Sequence, residues 1–135
     1  MSAYDVLAKA VLALAPAGTV LGEVPDDTVL PWRSMRVSIP GVSERSEASP
    51  PQGYTVRVSL LISAGADTGA LRMAGEATDA LEGARPVAPG WLCGPLLSRG
   101  SSQPYSTDHA IPGTGRHLVS VPLSFEFTAS RIPEV

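Results

Sequence analysis

The stretch His117–Arg131, HLVSVPLSFEFTASR, decides the fold. From Val119 to Ala129 the odd positions are apolar: Val119, Val121, Leu123, Phe125, Phe127 and Ala129. The even positions between them are Ser120, Pro122, Ser124, Glu126 and Thr128. A period of two sends alternate side chains to opposite faces of a strand, so one face meets a core and the other meets water or a partner. Both phenylalanines of the chain fall on the apolar face. The run is long against the usual strand of about 5–6 residues. Pro122 has no N–H for a ladder, which calls for an edge position, a bulge or a site turned away from the neighbouring strand.

The flanking sequence is punctuated by turn residues. Ser101–Arg116 holds Pro104, Asp108, Pro112, Gly113 and Gly115 and reads as a connecting loop, with Tyr105 able to extend the strand before it. Trp91–Gly100, WLCGPLLSRG, reads as a strand bent or bulged at Gly94-Pro95. Asp67 to about Glu82 reads as a helix, capped by Asp67 or Thr68 and ended by Gly83. Leu71, Ala74, Ala77, Thr78 and Leu81 supply its core side, and Ala70, Ala74 and Ala77 permit close approach to a sheet. Arg72 and Glu76 are spaced for an i,i+4 pair.

Two more strands precede that helix. Trp32–Ile39 alternates Met35, Val37 and Ile39 with Ser34, Arg36 and Ser38. Tyr54–Ile62 alternates Tyr54, Val56, Val58, Leu60 and Ile62 with Thr55, Arg57, Ser59 and Leu61. Between them Val42–Gly53, VSERSEASPPQG, is polar and makes a long, flexible hairpin loop. Thr19–Leu30 is a connection with a turn at Pro25-Asp26-Asp27. Ser2–Leu14 is a helix with an apolar stripe of Val6, Leu7, Ala10, Val11 and Leu14, ended by Pro16 and Gly18. It has no basic n-region, and Asp5 and Lys9 interrupt a run too short to span a bilayer, so it reads as a helix of the mature protein.

The expected architecture is one α+β domain over residues 1–135, in the order α-β-β-α-β-β. Its sheet is antiparallel or mixed, with the two helices packed mainly on one face.

Charged residues make up 17% of the 135 residues, below the roughly 25% usual for a soluble domain, which fits a surface partly covered by other subunits. The net charge of −3 leaves no basic footprint for specific nucleic-acid binding. The single cysteine, Cys93, cannot form an internal disulfide and fits a cytosolic folding compartment.

The chemistry-bearing residues do not converge on a reaction. His109 and His117 lack metal-ligand spacing. Cys93 stands in no nucleophile motif and reads as a buried thiol, and Ser98 and Ser101 lack a nucleophile elbow. Gly65-Ala66-Asp67-Thr68-Gly69 precedes a helix but lacks the lysine of a phosphate loop. The sequence therefore offers no catalytic, cofactor-binding or metal residues, and the expectation is a protein that is not an enzyme. Its candidate contact residues are Arg33, Arg36 and Arg57 on the polar sides of the first hairpin, Glu44, Arg45 and Glu47 in its loop, and Trp32 and Trp91 as aromatic anchors.

Several segments in order carry a resemblance: PGVSERSEASPPQGYTVRVSLLIS at 40–63, DALEGARP at 79–86, PGWLCGPL at 89–96 and PGTGRHLVSVPLSFEFTASR at 112–131. Together they resemble tail terminator or tail completion proteins of long-tailed (siphovirus-type) actinobacterial phages and prophages, over roughly three quarters of the chain. The resemblance implies an α+β protomer that assembles into a six-fold ring at the neck-proximal end of the virion tail. Such a ring caps the tail tube, stops its polymerisation and presents a docking face for the head. The implied partners are further copies of the chain, the tail tube protein and the head–tail connector, with no cofactor, no membrane and no specific nucleic acid. The alternatives are a head–tail connector or neck completion protein, and a small ligand-binding α+β domain.

Overall fold

In the computed structural model the described residues are 3–24, 30–44, 53–99, 103–110 and 117–132. The alternating stretch forms β7, His117–Arg131, and the sheet is built around it. On one side β7 pairs antiparallel with β3, Gly53–Ala64, in unbroken register from Gly53↔Ser130 to Ala64↔Val119. On its other side three short strands follow one another: β4, Trp91–Cys93, β5, Leu97–Ser98, and β6, Tyr105–Ala110. Pro122 sits opposite Leu61, between the β5 register at Phe125 and the β6 register at Ser120. The missing N–H therefore falls where neither short strand needs it.

β3 continues outward to β2, Trp32–Glu44, and β2 to β1, Thr19–Leu21. The β2–β3 ladder is antiparallel, with register shifts between Ser38 and Gly41 and between Val42 and Glu44. β1 runs parallel to β2, which makes the sheet mixed. Among the described residues it has seven strands.

Helix α1, Ala3–Leu14, lies against β2, and α2, Asp67–Leu81, lies against β3 and β7. Leu7, Ala8, Ala10 and Val11 of α1 and Ala70, Ala74, Ala77 and Leu81 of α2 join one core with the apolar faces of β2, β3 and β7. Phe125 and Phe127 are 1% and 2% exposed at its centre. Truncating a phenylalanine so placed costs about 3–5 kcal/mol. The alanines let the α2 backbone sit close to the sheet, so burial there comes from area covered and not from long side chains. α2 ends at Leu81, and Gly83 follows with φ +77, the left-handed conformation that glycine adopts without a Cβ penalty.

The α+β class and the placement of both helices on one face follow the sequence reading, and the order in detail differs. Thr19–Leu21, expected within a connection, is a strand because its backbone pairs with Arg33–Met35. Residues 105–110, expected as loop, form β6, whose ladder partner is the start of β7. Tyr105 opens that strand and does not extend the one before it. Trp91–Gly100 is interrupted, as its Gly-Pro pair suggests, and becomes β4 and β5. The α2 N-cap is Ala66, not Asp67 or Thr68, and no side chain caps it. Leu71 is 50% exposed and lies outside the core, because Ala70 takes the buried position beside it. Glu76 turns to Arg33 at 3.4 Å. Of the long hairpin loop, residues 45–52 and the turn at Pro25-Asp26-Asp27 lie outside the described residues.

Candidate functional site

The sheet face away from the helices is assembled row by row from the ladders. Trp32, Ser63, Ser120 and Tyr105 share one row. Ser34, Leu61 and Pro122 share the next, then Arg36, Ser59 and Ser124, then Ser38, Arg57, Glu126 and Leu97. The parity of the strands fixes this set, since every residue in it is offset by one from a core residue. The face is rich in serine, with an apolar strip at one end and charge at the other.

Charge on this face is mostly positive. Glu126 Oε2 lies 3.6 Å from Arg57 Nε, its cross-strand partner, and 3.6 Å from Arg99 Nε. One carboxylate thus faces two guanidinium groups, each 62% exposed, and the pairs are worth little in stability. Arg36 is exposed and has no ion-pair partner among the described residues.

Two open clefts indent the same face. One, about 620 Å³, is bounded by Glu23, Trp32, Arg36, Leu61, Pro122 and Ser124. The other, about 510 Å³, lies between Trp32, Leu61, Ser63, Tyr105, Leu118 and Ser120. Trp32 and Leu61 belong to both, so the clefts join into one groove along the sheet. Its floor is tied by the Ser63–Ser120 hydroxyl pair at 2.9 Å.

The contact residues named from the sequence distribute unevenly. Trp32, Arg36 and Arg57 meet on this face. Arg33 does not: it shares parity with Met35 and turns to the helix side. There Nη1 approaches Glu76 at 3.4 Å and Nη2 donates to the carbonyl of Ala17 at 3.2 Å. Trp91 is buried at the core edge, 5.6 Å from the ring of Tyr54 and 4.8 Å beneath the guanidinium of Arg131. Glu44 pairs by its backbone with Gly53, and Arg45 and Glu47 lie outside the described residues. The sequence reading did not single out Glu126, Arg99 or Leu61. The even parity of Glu126 within β7 already puts it on this face, but only the register reveals that Arg57 and Arg99 flank it.

Cys93 is buried, and burial pushes its thiol above the ordinary range, away from the thiolate that attack requires. It borders neither cleft. Among the described residues no three His, Cys, Asp or Glu side chains gather to hold a metal, and no helix is long and apolar enough to cross a membrane.

No family model matches the chain, and no curated protein matches it. The fold does recur in solved structures. One chain aligns with TM-score 0.67 at 13% identity, over 98% of this chain and 100% of its own length. A second belongs to the virion of a native gene transfer agent (GTA) particle and aligns with TM-score 0.62 at 14% identity, over 96% of this chain and 95% of that one. At these identities the likeness is one of fold, and it extends over nearly the whole of each chain.

Proposed function

We propose that this chain is a structural virion protein, a tail terminator that forms a ring on the tail tube, stops its polymerisation and offers a docking face to the head. The observation that carries this reading is the near end-to-end fold match to a chain of a gene transfer agent virion. A match over part of a domain would speak only for a common substructure, whereas this one covers 96% of this chain and 95% of the other. The segment resemblance at 40–63, 79–86, 89–96 and 112–131 supports the same assignment independently.

The surface suits such a part. A ring needs two different patches per protomer that meet head to tail. This chain has an arginine-bearing groove on one side and an acidic helix on the other. Its partners in this reading are further copies of itself, the tail tube protein and the head–tail connector. It works in the tail at its neck-proximal end, without a cofactor, a membrane or specific nucleic-acid contacts, and it is not an enzyme. A head–tail connector or neck protein is the second reading, because the virion match speaks for a particle component without separating the two positions. Electron microscopy of particles made with and without the protein separates them. Tails of uncontrolled length in its absence support the terminator, and tails of normal length beside unjoined or leaking heads support the neck protein.

A further inference from the structure

The groove on the sheet and the exposed side of α2 match each other in spacing, shape and charge. Leu71 stands half exposed on α2, with Gly75 one turn on and Asp79 a turn beyond. At 1.5 Å per residue, Leu71 and Asp79 are separated by about 12 Å along the helix. On the sheet, Leu61 and Arg57 are four residues apart on β3, about 13 Å at 3.3 Å per residue. A helix laid along β3 with Leu71 on the Leu61–Pro122 row therefore brings Asp79 to the row of Arg57 and Glu126. Gly75 then lies over Ser59 and Ser124, where the absence of side chain on one partner and short side chains on the other allow contact. Glycine weakens an exposed helix relative to alanine, and no atom outside its own helix and chain neighbours lies within 4 Å of the position a Cβ would take at Gly75.

Charge decides which occupant fits. The groove side carries Arg36, Arg57 and Arg99 against Glu126 and Glu23, a positive excess in a chain whose net charge is −3. The rest of the chain is accordingly more acidic than the whole. The outer side of α2 bears Asp67 and Asp79 against Arg72, while Glu76 of the same helix is paired with Arg33.

We infer that the groove between Trp32, Leu61 and Pro122 receives the exposed side of α2 from a second copy of this chain, with Leu71 in the apolar strip and Asp79 facing Arg57 and Arg99. The contact joins different surfaces of the two copies, so it repeats around a closed ring and leaves each protomer with the same pair of patches. This inference rests on the ring-forming reading and supplies the contact that reading lacks.

Disulfide trapping with the full chain tests it. Leu71→Cys and Leu61→Cys chains, mixed and oxidised, are expected to yield covalent heterodimers, and the double variant a ladder of oligomers. Gly75→Cys with Ser124→Cys, both at exposed positions, gives a second pair that does not depend on Leu61. The unaltered chain, whose Cys93 is buried, is expected to give none. Cross-links only between two copies of the Leu71→Cys chain, or no cross-links from either pair, would overturn the contact. The ring reading is judged separately by tail length. Uncontrolled tails without the protein but no cross-links would remove this contact and keep the terminator. Cross-links with normal tails in its absence would do the reverse.

Discussion

Ser63 Oγ and Ser120 Oγ lie 2.9 Å apart, a hydrogen bond between two buried hydroxyls on neighbouring strands of the groove face. Each is 2% exposed or less, so neither has water as a ready substitute partner. Replacing one by alanine leaves the other hydroxyl buried and unpaired, at about 1–2 kcal/mol. The double alanine variant removes both polar groups and is expected to cost less than the sum of the two single changes. Urea unfolding midpoints at unchanged slope measure this coupling.

α2 begins without a cap. Ala66 holds the extended N-cap conformation, φ −155 and ψ 156, and has no side chain to accept from the first free N–H groups. Ala66→Ser or Ala66→Asp is expected to stabilise the chain by about 1 kcal/mol. Thermal unfolding reads the gain as a rise in Tm, and an unchanged or lower Tm would contradict it.

The break between β4 and β5 depends on a close approach. Gly94 donates its N–H to the carbonyl of Thr128 at 2.8 Å, and a Cβ at Gly94 would stand 2.9 Å from Thr128 Oγ1. Gly94→Ala is expected to destabilise by about 1–2 kcal/mol. Most of that loss should vanish in a Thr128→Ala background, where the opposing hydroxyl is gone. A loss of equal size in both backgrounds would place the cost in the backbone instead.

Burial raises the pKa of Cys93 above the ordinary thiol value. Below that value both the folded and unfolded thiols keep their proton, and pH has no effect through this group. As pH rises past it, the unfolded thiol ionises first, the unfolded state is favoured and stability falls until the folded thiol ionises too. The unaltered chain is therefore expected to lose stability relative to Cys93→Ala as pH rises from neutral through the ordinary thiol value of about 8.5. Parallel denaturation curves for the two chains across that range check the sign. A difference that stays constant would place Cys93 in a solvated site.

The two long strands beside the core were legible because alternation is a local property. Val56 to Ile62 and Val119 to Ala129 each declare a buried face without knowing their neighbours. β1 and β6 were not legible, because their strand character comes from backbone partners at Arg33–Met35 and at the start of β7. The position of Arg33 was within reach, since it shares parity with Met35 and Val37, but arginine on a core-facing position made the polar side the natural assignment. Only the tertiary contacts to Glu76 and Ala17 explain how that charge is accommodated. The groove was hidden for a different reason. Its rows combine residues from strands far apart in sequence, and no single segment carries the pattern of serine, leucine and arginine that they make together.

The most direct test of the central claim is the length distribution of tails assembled without this protein, measured by electron microscopy against complete particles. A terminator predicts tubes that run past the normal length, with normal length restored when the purified chain is supplied before assembly. Complete particles with tails of normal length, formed without the protein, would contradict the account.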